Sequence, residues 1–98
     1  MSPGHRAPLN VVHNEAESCF EAYVDGLQCR ADYHRAGDTL FVTHTQVPPM
    51  LEGRGIAAAI VRAVFDHAAA HGLRVAPRCS YVHAWVRRHP EFADRVAR

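Results

Sequence analysis

Apolar and polar residues alternate along the first half of the chain and fall at helical spacing along much of the second. Leu9, Val11 and His13 alternate with Asn10, Val12 and Asn14. From Ser18 to Val24, Cys19, Phe20, Tyr23 and Val24 sit among polar residues. From Leu27 to His34, the residues Leu27, Cys29, Ala31 and Tyr33 share one face. Between these two strands, Asp25-Gly26 is a strong hairpin signal, because a type I′ turn needs positive φ at both central positions. Ala36-Gly37-Asp38 marks a second turn, and Thr39 to Val47 a third long strand, rich in β-branched and aromatic residues. The expected product is an antiparallel meander of three or four strands. Pro48-Pro49 ends it, since proline cannot donate to a ladder.

The period then changes. From Gly55 to His71, Ile56, Ile60, Val64 and Ala68 line one stripe, widened by Ala59, Val61 and Ala63. This predicts an amphipathic helix, with Gly72 as its C-terminal cap. Leu73 to Ala76 is a short strand stopped by Pro77. Tyr81 to Arg88 is a second helix with Val82, Trp85 and Val86 on one side, broken at His89-Pro90. Glu91 to Val96 forms a last helical turn or two. The strand–helix–strand order makes the Thr39–Val47 and Leu73–Ala76 strands parallel, joined by the crossover helix. If these two central strands splay apart, a cleft opens and the helix N-terminus points into it. The fold class is α+β, with one domain over residues 9–98. Pro3, Gly4 and Pro8 mark residues 1–8 as a flexible tail.

Composition narrows the function. Ninety-eight residues hold one domain, and no apolar run is long enough to span a bilayer. No signal-peptide pattern opens the chain, so a cytoplasmic location is expected. Eleven basic residues, all arginine, against 10 acidic ones give no bulk charge for nucleic acid. Cys19, Cys29 and Cys79 fit neither a paired disulfide framework nor a zinc pattern, so free thiols are expected. His67 and His71 have metal-ligand spacing but lack a third ligand, so no metal is expected. Cys19, Cys29 and Trp85 read as core, and Arg87-Arg88 as a solvated face.

The sharpest local feature is Leu51-Glu52-Gly53-Arg54-Gly55-Ile56-Ala57, directly after a strand and opening a helix. Two glycines let the backbone approach a bulky anion, and the first N–H groups of the helix are unsatisfied. The helix dipole and Arg54 add positive potential. By local physics this is a phosphate or pyrophosphate cradle, or a glycine-softened loop with no ligand. It is neither a Walker A loop nor a GxGxxG fingerprint.

The segment Glu52 to Ala57 resembles motif A of GCN5-related N-acetyltransferases, Gln/Arg-x-x-Gly-x-Gly/Ala, with Glu52 in place of the usual Gln/Arg. His44-Thr45-Gln46-Val47-Pro48-Pro49, Pro77-Arg78-Cys79-Ser80-Tyr81-Val82 and Trp85 to Phe92 extend the likeness to the small single-domain, YjdJ-like branch. The resemblance covers roughly residues 10–96 with the motifs in order. It implies a pared-down acetyl-CoA-binding fold without the elements that cover the acceptor in larger members. An open cleft of that kind suits a protein or peptide tail, or a small amine. The implied coenzyme residues are Thr45, Gln46 and Val47 along the strand, Leu51, Gly53, Arg54, Gly55, Ile56 and Ala57 at the cradle, and Ser80. A carboxylate at Glu52 repels a diphosphate unless it points away.

Transfer to an amine needs a base, because a lysine-type amine, with a pKa of about 10.4, is mostly protonated at neutral pH. His44, on the cleft strand, is the candidate base. Cys79, just before a helix whose N-terminus favours the thiolate, is the candidate nucleophile through an acetyl-cysteine. The resemblance singles out these two together, with Tyr81 or Ser80 as donor to the leaving thiol. The expected function is N-acetyl transfer from acetyl-CoA to a primary amine. The alternatives are a non-catalytic CoA-binding or sensing module and a partner-docking domain.

Overall fold

The computed structural model describes residues 9–97. The tail expected over residues 1–8 lies outside them. The alternating half forms β1 (Val12–Asn14), β2 (Cys19–Val24), β3 (Leu27–Ala36) and β4 (Thr39–Gln46), an antiparallel meander. After a 3-10 turn at Pro49–Leu51, helix α1 (Ile56–His71) crosses over to β5 (Arg74–Pro77), which pairs parallel with β4. Helix α2 (Ser80–Arg88) and a 3-10 segment (Pro90–Arg95) follow. Asp25 and Gly26 both have positive φ, 52° and 77°, as the hairpin requires. Gly72 caps α1 at φ 68°, its amide donating to the Ala68 carbonyl.

Two expectations shift. The first strand is shorter than Leu9–Asn14, since Leu9 and Val11 pack on the core without joining the ladder. The sheet order is β1-β2-β3-β4-β5, so the cleft strands are the last two rather than the central pair. After β5 the described chain offers only a single bridge from Val96 to Val75 and one bond from the Ala97 amide to the Val75 carbonyl.

The core lies on one face of the sheet. Phe20, Ala22, Cys29, Ala31, Leu40 and Val42 meet Ile60, Val64, Phe65 and Ala68 of α1, all buried. Helix α2 adds Val82 and Trp85, whose ring stacks on Phe65 at 5.3 Å. Cys19 and Cys29 are fully buried, and burial pushes both thiols up, away from reactivity.

One irregularity matters for the site. Tyr33 pairs with Val42, but Asp32 pairs with His44, so Thr43 is an extra residue in β4. This β-bulge inverts the alternation beyond it. Directly paired residues share a face of the sheet. Thr45, opposite the buried Ala31, therefore joins Leu40 and Val42 on the helix side. His44, opposite Asp32, faces the other way.

At the far end of α1, His67 and His71 belong to a ring cluster with centroids 4.2 Å apart. His13 from β1 packs edge-on against His67 at 4.5 Å, stacks on Phe20 and bonds the Tyr33 hydroxyl at 2.7 Å. Burial first, then repulsion from neighbouring imidazoles, holds His13 and His67 below the ordinary histidine value. Glu15 opposes both shifts, while Arg35 reinforces that of His67. The unfolded chain therefore takes up protons first as pH falls below about 6.5, and the fold loses stability through that interval. Above it His13 and His67 are neutral in both states. We expect the thermal midpoint to drop roughly 3–6 °C from about pH 7.5 to about pH 5, and His67→Gln to flatten the drop. An identical pH slope in that variant would place the acid sensitivity elsewhere.

Candidate functional site

Strands β4 and β5 pair from Thr39–Arg74 to Val42–Pro77, and the Arg78 amide donates to the Val42 carbonyl at 2.9 Å. Beyond that bond they part. β4 continues beside β3 alone, while the chain leaves β5 and turns into α2. The expected splay is thus present, opened by Pro77 at the strand end and by the bulge at Thr43.

A cavity of about 610 Å³ fills the gap. One wall is β4 from His44 to Gln46, continued by Val47; another is Leu51 to Gly53 with the first turn of α1; Tyr81 of α2 closes a side. Gly53 and Gly55 have φ of 84° and 78°, a region open to glycine and strained for other residues. A Cβ on either would meet nothing within 4 Å, so backbone stands bare to the open space. Gly55 is the N-cap of α1 and offers no side-chain cap, so amides at the helix start lack intrahelical partners. Bare backbone, unsatisfied N–H groups and a helix N-terminus at one cavity suit a diphosphate.

The structure spreads the other candidates unevenly. Gly53, Gly55, Ile56, Ala57, Leu51 and the strand residues Thr45, Gln46 and Val47 line the cavity. Arg54 does not: it turns to the β2–β3 hairpin, where its guanidinium meets Asp25 at 3.2 Å. Ser80 is exposed at the start of α2, outside the lining. Glu52 does line the cavity, and its carboxylate opposes an anion there. Glu52→Gln should tighten CoA binding about threefold at low salt, with a smaller gain in about 0.5 M salt. Calorimetric titration at both ionic strengths reads this directly, and no change at either would mean that the Glu52 carboxylate does not face an anion in this cavity.

Cys79, the N-cap of α2, is not part of the cavity lining but touches it through Thr45, whose hydroxyl lies 3.6 Å from the Cys79 Sγ. Burial alone would raise its pKa. The Thr45 hydroxyl, and backbone amides of Val82, Tyr81 and Thr45 turned toward the sulfur, outweigh that and lower the thiol below its ordinary value. Tyr81 is raised instead, chiefly by burial, with Arg88 pulling weakly the other way. It therefore stays protonated as a donor near neutral pH. His44 borders the cavity but stands on the opposite face of β4 from Thr45, and no hydrogen bond joins it to Cys79. Thr45 as the residue touching the sulfur was not foreseen, since only the bulge turns it inward.

A fold of this kind, with a glycine-bearing loop feeding a helix beside two parting parallel strands, defines a class of coenzyme-binding acyltransferase domains. The GCN5-related N-acetyl-transferase family model matches residues 19–95, and the chain belongs to that family. Protein NATD1 of Bos taurus is 29% identical over 100 residues, covering 97% of this chain and 88% of the relative. Protein NATD1 of Homo sapiens is 29% identical over 94 residues, covering 91% and 83%. An NMR structure of a GCN5-like putative N-acetyltransferase from Staphylococcus aureus superposes with a TM-score of 0.73 at 21% identity, over 91% of this chain and 88% of that one. That likeness is one of fold. Among the described residues no helix is long and apolar enough to cross a membrane.

Proposed function

We propose that the protein moves an acetyl group from acetyl-CoA to a primary amine by way of a thioester at Cys79. The observation that carries this reading is the Cys79 sulfur, 3.6 Å from the hydroxyl of Thr45, a residue that lines the glycine-bearing cavity, with its thiol shifted toward the thiolate. In the first half-reaction the thiolate attacks the acetyl carbonyl carbon. The new S–C bond forms, the bond to the coenzyme sulfur breaks, and Tyr81 gives that sulfur its proton. Solvent restores the tyrosine.

In the second half-reaction the acceptor's ammonium gives one proton to His44, the free amine attacks the carbonyl carbon of the acetyl-cysteine, and the nitrogen's second proton passes to solvent. The C–N bond forms and Cys79 leaves as thiolate. The two faces of β4 suit this division, with Thr45 turned to the sulfur and His44 turned to the side free of helices. The cradle of Gly53, Gly55, Ile56 and Ala57 holds the diphosphate, and the β4 edge beside Thr45 to Val47 holds the pantetheine arm.

The test is incubation with acetyl-CoA alone, followed by peptide mapping. A mass gain of one acetyl group on the Cys79 peptide, discharged by added amine, is the expected result. Turnover without label on Cys79 would make the transfer direct. Binding of CoA without either label or turnover would make the protein a coenzyme sensor.

A further inference from the structure

A second cavity, of about 430 Å³, lies on the other face of the sheet. Its floor is Phe41 and Ala76, paired neighbours on β4 and β5 whose faces are opposite to the buried Leu40 and Val75. Arg78 and His83 form its rim, one residue before Cys79 and four after it. This cavity lies over the paired stretch of β4 and β5 and reaches their parting at Arg78, the residue next to Cys79.

The charge of this second cavity is one-sided. Among the described residues lining it there is no carboxylate side chain, while Arg78 and His83 both offer N–H donors. Arg78 is exposed and makes no ion pair among the described residues; its guanidinium lies 5.2 Å over the Phe41 ring. Stacking of that kind leaves the planar edge of the guanidinium open to accept a carboxylate side-on. On the same face, the Asp32 carboxylate is already neutralised by Arg30 at 2.6 Å.

We infer that this cavity is a specificity pocket for the acceptor, selecting small amines that also carry a carboxylate. The inference rests on the acetyl-transfer reading. The acceptor's carboxylate sits on Arg78, assisted by His83, its chain lies over Phe41, and its amine reaches through the parting toward Cys79. A cationic tail meets like charge at Arg78 and is disfavoured, which argues against the polybasic peptides that an open cleft would otherwise admit. No bond is made or broken in the pocket itself; it orients the amine whose acetylation is described above.

The experiment uses matched amines of one chain length that differ only at the far end: δ-aminovalerate (carboxylate), pentylamine (methyl) and cadaverine (ammonium), with shorter and longer members of each series. The full chain with acetyl-CoA is expected to favour the ω-amino acids in kcat/KM by about tenfold over the matched alkylamines and by more over the diamines. Arg78→Gln is expected to bring the first ratio close to one, through KM rather than kcat. Equal ratios in the unaltered protein, a preference for diamines, or a ratio unmoved by Arg78→Gln would overturn the inference while leaving acetyl transfer in place. A second readout is independent of turnover. Titration of the ω-amino acids, followed by NMR shifts of His83 and Phe41, should show saturable binding in the unaltered protein and none in Arg78→Gln. Binding there without any acetylation would sustain the pocket and sink the enzymatic reading, whereas shifts that do not saturate would sink the pocket.

Discussion

Cys79→Ala is expected to remove acetyl transfer by about a thousandfold or more and to abolish the acetyl label, with CoA affinity held within about twofold. The two effects separate because the sulfur and the coenzyme cradle are different parts of the site. Cys79 belongs to the β5–α2 junction, whereas Gly53, Gly55 and Ile56 belong to the loop that opens α1. The side chain is only partly buried, packed at the margin of the core, so truncation to alanine removes one sulfur and leaves the fold in place. A milder companion is Thr45→Val, which removes the hydroxyl beside the sulfur while keeping the shape. Because that hydroxyl helps to lower the thiol pKa, its loss moves the rise of the labelling rate to higher pH. Measuring the label against pH for both forms distinguishes an activating contact from a packing one. Retention of full turnover by Cys79→Ala would leave the amine attacking acetyl-CoA directly.

The second large effect lies at Gly55. Its φ of 78° places it where an L-residue pays a conformational penalty of about 1–2 kcal/mol, most for a β-branched one. A Cβ there points into space empty of protein atoms, so the fold tolerates the added bulk and the cradle does not. Gly55→Val should weaken CoA binding by about a hundredfold or more, since it both fills the approach to the helix amides and twists the first of them away. Far-UV circular dichroism should stay the same. Unaltered affinity would move the coenzyme to another surface of the molecule.

Much of this architecture was legible in the order of periods along the chain. Asp25-Gly26, Pro48-Pro49 and Gly72 each fix a boundary through a backbone constraint that acts locally, so sequence alone locates them. The apolar stripe of α1, from Ile56 to Ala68, is equally self-declaring. The backbone of the loop before α1 could be read for the same reason: Gly53 and Gly55 mark positions of positive φ. What could not be read depends on pairing. Strict alternation from Leu40 and Val42 would carry His44 to the helix side, and nothing in Thr43-His44-Thr45 signals otherwise, because all three are polar. Only the register with β3 reveals the extra residue. Arg54 shows a similar limit. Its place in the loop suggests an anion ligand, yet Asp25, distant in sequence, turns it to the hairpin. The His13, His67 and His71 cluster also needed the sheet and helix to be docked before its members met.

The extra residue in β4 changes which kinds of genetic lesion the site can absorb. A substitution at Thr43 alters one exposed side chain and keeps the strand's phase. Loss of its single codon would remove only the bulge: Val42, His44 and Thr45 would still meet Tyr33, Asp32 and Ala31, so His44 and Thr45 keep their faces while the strand loses its local irregularity. Loss of Thr43 and His44 together would instead put Thr45 directly after Val42 and carry Thr45 and Val47 to the bare side of the sheet, so two-residue deletions here should be purged from natural variation far more strongly than loss or substitution of Thr43 alone. The face that Thr45 presents, opposite Ala31, more than the presence or identity of the residue at position 43, is what descent in this lineage has to preserve.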